Sequence, residues 1–538
     1  MPHSDTRLPH SRQAGLPQKW KVLITVIFGL CMPLLDTTVV NVAFQTLRQE
    51  FGADLSQAQW VLSIYTLMLG ISTPAAGFLA DRFGIKRMYS LGLLIFILGS
   101  LLCGLAPSLP LLIAARALQG CGAGCMLPLG TALLVGAFPP EERGLALGLF
   151  GVALVVAPAV GPLLGGWLVD QELWRWIFFI NLPIGAVGLA LAARLLHESR
   201  PAHRPAFDLP GLATSALGCG AILYAAAIAR TEPLTSVLIW FGLGVAALAV
   251  FAYIELYVAA EPLLNVRLFG QRTFLIASLV GYVSVIALFG PEFLLPIYLQ
   301  ALRGSSGLET GSVLLPLALA AGITAPLAGR LNDLFGPRLV LVIGFGVLMI
   351  NTWQLAQIQA DTPLSWLVLL MILRGIALGF TIQTTIVTAL SVVPAEQLAR
   401  GSSLVNATRQ VMIAIGVAAL ASILAGSLSA DARAFLRQSQ EQSRSISAGP
   451  RVGLCETVPG GAAADQRAAS DTGAAGAHVA APTTQADARL CTELIAGFET
   501  TYRVTFYLSL LATLLSAMLP GWPRAWEGSR RATPVAAE

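Results

Sequence analysis

Four ionisable residues sit inside stretches that are otherwise apolar, and they are where this chain could do chemistry. Asp36 lies in "CMPLLDTTVV", with long hydrophobic runs on both sides. A carboxylate held within a bilayer costs at least ~2.5–3.5 kcal/mol on insertion scales, so it needs a partner, an aqueous cavity or a proton. Two readings stay open for it: an acid satisfied by neighbouring helices, or a site that takes up and releases a proton. Arg116, in "AARALQGCGAG", follows the same logic. With Gly120 and Gly124 at i+4 and i+8, it lies on a helix face stripped of bulk, where another backbone can approach. Arg374 in "ILRGIALGF" and Glu292 in "FGPEFLLP" complete the set. Arg374 admits a structural and a coupling role equally. Glu292 is a second proton or cation site if it lies deep, and an interfacial acid if it does not.

Membrane helices must position these residues. Of 538 residues, 56% are hydrophobic and only 12% charged. A soluble domain carries roughly 25% charged residues. The apolar residues come in blocks of about twenty, the length of a helix crossing a ~30 Å hydrocarbon core, and blocks of that length fit only helical spans. Fourteen spans are expected, near 21–44, 57–80, 88–106, 109–135, 145–169, 176–196, 209–229, 234–257, 274–301, 310–331, 338–358, 364–392, 402–428 and 503–521. An even count puts both termini on one side. Lys and Arg crowd the terminal tails and the loops on that side (Lys19, Lys21, Arg82, Lys86, Arg87, Arg143, Arg400), which predicts cytoplasmic termini in the cytoplasmic membrane.

The expected organisation is a cytoplasmic tail at 1–20, a six-helix bundle at 21–196, and two additional helices with linkers at 197–271. A second bundle over 272–428 is completed by the last helix at 503–521, before a tail at 522–538. Between them, 429–502 is polar, lacks an apolar period and has the composition of a disordered external loop. It holds Cys455 and Cys491; a disulfide between them and two free thiols are both open readings. The other five cysteines fall in apolar blocks and read as small buried hydrophobes.

An internal repeat fixes this plan. "PAAGFLADRFGIKRM" from Pro74 returns as "PLAGRLNDLFGPRL" from Pro326, matching Gly77 to Gly329, Asp81 to Asp333 and Gly84 to Gly336. Arg116 and Arg374 lie in a second echo, and "PPEERG" and "VPAEQLARG" form a third. Three echoes in the same order indicate a duplicated bundle, all-α, with the substrate path at the repeat interface. The loop charges anchor topology, with Arg82 and Arg87 beside the Gly84 turn. An aspartate at a helix end also wants a cation or a helix N-terminus.

These motifs carry a resemblance. "GFLADRFGIKRM" is similar to the loop between helices 2 and 3 of the major facilitator superfamily, and "RALQGCGAG" to its helix 4 motif. "APAVGPLLGGWL", with Pro158, Gly161, Pro162, Gly165 and Gly166, resembles the helix 5 motif of its antiporters. "LDTTVVNVA" and "WRWIFFINLPIG" resemble the fourteen-span drug:proton antiporters of the EmrB/QacA type. The resemblance implies the major facilitator fold and proton-driven export of drug-like or lipophilic, including cationic, compounds. It implies proton coupling at Asp36 and Arg116, and a gate at Asp81 that latches the two halves, with Asp333 as its weaker counterpart. Relatives in double-membrane bacteria work with a periplasmic adaptor, which no residue here reveals.

Other classes fit less well. A phosphate loop needs Gly-Lys followed by Ser or Thr. The three lysines, Lys19, Lys21 and Lys86, precede Trp20, Val22 and Arg87, so the chain has no such ATP motor. No zinc-ligand spacing, cofactor motif or basic nucleic-acid tract appears. Export of one particular metabolite, lipid or siderophore is the neighbouring alternative. A membrane sensor that transports nothing is the alternative of another class.

Overall fold

The computed structural model describes residues 16–198, 206–229, 232–292, 294–443, 454–455 and 485–521. The two tails and most of the polar loop expected at 429–502 lie outside the described residues. The long helices are α1 (Gln18–Val42), α2 (Leu55–Phe83), α3 (Ile85–Leu105), α4 (Leu109–Ala137), α5 (Arg143–Asp170), α6 (Asn181–Leu195) and α7 (Leu209–Ile228). They continue as α8 (Leu234–Tyr253), α9 (Arg272–Glu292), α10 (Gly307–Phe335), α11 (Pro337–Leu355), α12 (Leu364–Leu390), α13 (Leu398–Gly426) and α14 (Gln485–Ser516). The described residues contain no β-strand.

Local chemistry sets several boundaries. Ser306 accepts from the Glu309 amide while the Glu309 carboxylate accepts from the Ser306 amide, a reciprocal cap that starts α10. The α2–α3 and α10–α11 turns each reverse the chain through one residue, Gly84 at φ +102° and Gly336 at φ +81°. A side chain is strained at such angles, so both positions favour glycine.

Twelve helices are long and apolar enough to cross a bilayer. Outside those twelve, α9 has a shorter apolar part, Arg272–Leu288, and α14 is the remaining long helix. The helix expected at 503–521 begins much earlier, at Gln485. Cys491, Leu494, Phe498 and Tyr502 form a helical stripe buried among Leu424, Leu428 and Tyr298, while the opposite face is polar. Average hydropathy blurs such a segment. Cys455 and Cys491 are joined by a disulfide, and the Cys455 amide donates to the Leu302 carbonyl at 2.9 Å. Part of the expected loop is therefore ordered onto the bundle, including a helix at Ala430–Ser443.

Packing repeats with the sequence. In the first half α2 packs on α4, α3 on α4, and α1 on α5 and α6; in the second, α10 packs on α12, α11 on α12, and α9 on α13 and α14. The halves meet through α5 against α10 and α2 against α13, two contacts that exchange under the same correspondence. The additional helices lie outside this core: α7 rests on α2 and α13, and α8 on α7. On α8 only Gly244 and Phe251 are buried, and Leu238, Ile239 and Leu243 are exposed. An apolar surface of that extent suits lipid rather than water.

Candidate functional site

Asp36 is 1% exposed, about six residues and therefore roughly 9 Å from the end of α1. That places it about midway between the middle of α1 and its C-terminal end. Its carboxylate accepts from the Arg116 guanidinium, from Gln119 Nε2 at 2.9 Å and from Asn181 Nδ2 at 3.2 Å. Ser100 Oγ accepts from the same two amides at 3.1 and 3.0 Å and donates to the Phe178 carbonyl. Arg116 also donates to the Val61 carbonyl at 3.1 Å and stacks on the Tyr65 ring, 4.2 Å from its centroid. The site thus draws on α1, α2, α3, α4 and α6. Gln119, Ser100 and Asn181 are the members that sequence reading missed. The signal was present for two of them: Gln119 is three residues after Arg116 on the same helix face, and Asn181 interrupts the apolar "FFINLPIG".

The duplicate position differs. Arg374 is 2% exposed and donates to the Ala287 and Leu288 carbonyls of α9 at 3.1 and 2.6 Å, and to Asn351 Oδ1 at 3.4 Å. Backbone oxygens of α9 are among its partners. Glu292 is the last residue of α9, and its side chain lies outside the described residues.

The two loop aspartates face the opposite half of the molecule. Asp81 Oδ2 lies 2.6 Å from Arg400 Nε, at the start of α13. Asp333 has no such cation; its oxygens accept from the Gly144 and Leu145 amides at 2.8 and 2.9 Å, at the N-terminus of α5. One latch uses a cation and the other a helix end. The backbones are pressed together beside both: a Cβ at Gly77 would fall 2.5 Å from the Ala399 carbonyl, and one at Gly329 would fall 2.1 Å from that of Gly144. Along α10 the approach is looser at Gly322, where a Cβ would meet Val152 of α5 at 4.0 Å, an ordinary contact. The halves are closed at the Gly84 and Gly336 turns. Arg87 pairs with Glu198 at 3.5 Å within its own half, and Arg82 lies over the Phe83 ring.

The glycine motifs divide by face. Gly120 and Gly124 press on the α2 backbone at Tyr65 and Leu69, and Gly161 and Gly165 on Thr38 and Val39 of α1. Gly166 meets nothing within 4 Å and is no part of that face, being one residue, or 100°, off the stripe. Pro158 is half-buried and Pro162 exposed, both inside α5.

A family model described as Major Facilitator Superfamily matches residues 26–417. The chain belongs to this superfamily. A multidrug resistance protein B homolog of Mycobacterium tuberculosis is 33% identical over 77% of this chain and 79% of its own length. The multidrug export protein EmrB of Haemophilus influenzae is 32% identical over 73% and 79%. A riboflavin transporter of Clostridioides difficile, RibZ, is 31% identical over 77% and 90%. Among solved structures, the proton:xylose symporter XylE has a TM-score of 0.60 at 14% identity, covering 94% of this chain and 96% of its own, a likeness of fold. The protein is therefore a multi-pass membrane transporter of the superfamily and not an enzyme.

Proposed function

We propose that the protein is a fourteen-span, proton-coupled antiporter that exports drug-like or lipophilic small molecules across the cytoplasmic membrane by alternating access. The observation that carries this reading is the Asp36–Arg116 pair, buried in one half and linked by Gln119 and Asn181 to α3 and α6 and by Arg116 to α2. Protonation of Asp36 would cancel the attraction that ties α1 to α4 and release Arg116, so proton uptake and helix rearrangement become one event. The positive-inside pattern sets the Gly84 and Gly336 turns in the cytoplasm. With both latches closed there, this conformation faces outward, the state in which an exporter releases substrate and takes up a proton. The relatives named for multidrug resistance and export support the direction and the substrate breadth. No cofactor enters; the proton gradient supplies the energy.

The test uses purified protein in proteoliposomes carrying an internal pH dye. Adding ethidium should drive counter-movement of protons with the native chain and none with Asp36→Asn. Intact substrate-induced proton movement in the variant would sink the assignment. The RibZ relative favours a second reading, transport of one particular metabolite. Riboflavin moved to the exclusion of ethidium would establish it.

A further inference from the structure

The membrane helices of the second half hold one more arginine that the site above does not use. Arg409 lies about eleven residues into α13, near the middle of that helix. Arg116 has Asp36, Arg374 has two carbonyls and Arg400 has Asp81, but Arg409 makes no hydrogen bond or ion pair with a described residue. Its side chain lines a small, partly open cavity of ≈ 20 Å³ between α9, α12 and α13. Ser278, Tyr282 and Thr385 share the wall with apolar Ile386 and Val405, and no carboxylate lines it. Ser278 is 4% exposed and its hydroxyl has no partner. Tyr282 and Thr385 are engaged with Thr408 Oγ1 and the Ile382 carbonyl. Arg409 and Ser278 are thus left as unspent donors facing one space. Two residues before Thr385, Gln383 is 5% exposed against Gly151 of α5, with both amide atoms unpaired. Unspent polarity therefore continues to the seam between the halves.

A cation kept within the membrane without a protein counter-charge is expensive and marks a substrate or ion path. Guanidinium suits a carboxylate or sulfonate, which it can grip with two parallel N–H bonds. A cavity of ≈ 20 Å³ has room for about one water-sized group, so only the acidic tip of a ligand enters it.

We propose that Arg409 and Ser278 form an anion subsite that receives the acidic headgroup of an amphiphilic organic anion, whose apolar body extends toward the seam. The proposal deepens the export reading by making acidic, not cationic, amphiphiles the preferred class. It rests on that reading only for transport, because binding is measured separately.

Fluorescein and a cationic rhodamine ester share a xanthene skeleton and differ in charge. Binding of each to the detergent-purified full chain is followed by fluorescence anisotropy. The native protein should bind fluorescein, Arg409→Gln at least about tenfold more weakly, and Arg409→Lys in between, with rhodamine affinity unchanged within about twofold. Ser278→Ala, which keeps the arginine, should weaken fluorescein by a few-fold and guards against a Gln variant that fails to fold. No fluorescein binding by the native chain, unchanged binding in Arg409→Gln, or equal loss of both dyes would overturn the subsite. Fluorescein bound but never moved in proteoliposomes would uphold the subsite and sink the export reading. Rhodamine moved while fluorescein is not bound would do the reverse.

Discussion

Arg116 and Arg374 occupy matching places in two halves built on one plan, yet they have different partners. Arg116 meets a carboxylate whose remaining acceptor capacity is filled by Gln119 and Asn181. The partners of Arg374 include two backbone carbonyls and one amide. A carboxylate carries a charge that a proton can cancel; a backbone carbonyl carries none. Duplication kept the arginine as a helix-joining element in both halves, and in the first half that joint includes the Asp36 carboxylate.

The comparison is broken or upheld most directly by removing one partner in each half. Asp36→Ala leaves Arg116 buried without its counter-charge, and we expect a loss of ~3–5 kcal/mol in thermal unfolding in detergent. Arg374→Met removes a guanidinium from the Ala287 and Leu288 carbonyls, whose helical bonds persist, and the expected cost is ~1–3 kcal/mol. Equal losses would mean that the two sites are energetically the same despite their different partners. Arg374→Met should also leave substrate-driven proton movement in place, where Asp36→Asn abolishes it.

The latches extend the contrast. Gly329→Leu and Gly77→Leu each drive a side chain into the backbone of the other half. Both should shift the population away from the closed latch face, read as faster maleimide labelling of a cysteine placed at the buried Ala146. Between the aspartates, Asp333 accepts two amide hydrogens at a helix N-terminus and is 9% exposed, whereas Asp81 faces an arginine across a contact in which each side chain is 17% exposed. Asp333→Ala should therefore open the latch by about 1.5–3 kcal/mol and be nearly insensitive to salt. Asp81→Ala should open it by about 0.5–1 kcal/mol, and salt should mimic the mutation. The reverse order would restore the expectation, drawn from the family resemblance, that Asp333 is the weaker of the two.

How much of this was legible in the sequence follows from what a single letter reveals. Asp36, Arg116 and Arg374 stand out because ionic residues are rare in apolar runs, and the echo of Asp81 in Asp333 exposes the duplication and with it the superfamily fold. Ser100 does not stand out, because serine is common in membrane helices and its place beside Asn181 depends on how α3 packs on α6. Arg400 reads as one more positive-inside charge until α13 is set against α2. The early start of α14 was hidden because half its surface is polar, so its stripe of Cys491, Leu494, Phe498 and Tyr502 is lost in an average. Proximity across the duplication, and not residue type, carries the missing information.

The smallest predicted effect tests whether sequence echo implies shared duty. Arg143 and Arg400 occupy matching positions before Gly144 and Gly401. Arg400 pairs with Asp81 and donates to the Pro262 carbonyl at 3.1 Å, while Arg143 makes only a long 3.4 Å bond to the Phe138 carbonyl of its own half. Asp333 already has its acceptor needs met by the α5 amides, so an arginine beside it is spare. Arg143→Ala should then change latch accessibility by no more than about 0.5 kcal/mol, within the range of ordinary surface substitutions. Arg400→Ala should reproduce Asp81→Ala, and the double variant Asp81→Ala with Arg400→Ala should cost no more than either alone, since both remove one contact. If Arg143→Ala opened the latch as far as Arg400→Ala, the helix end would not be sufficient for Asp333. The two halves would then close by the same chemistry after all.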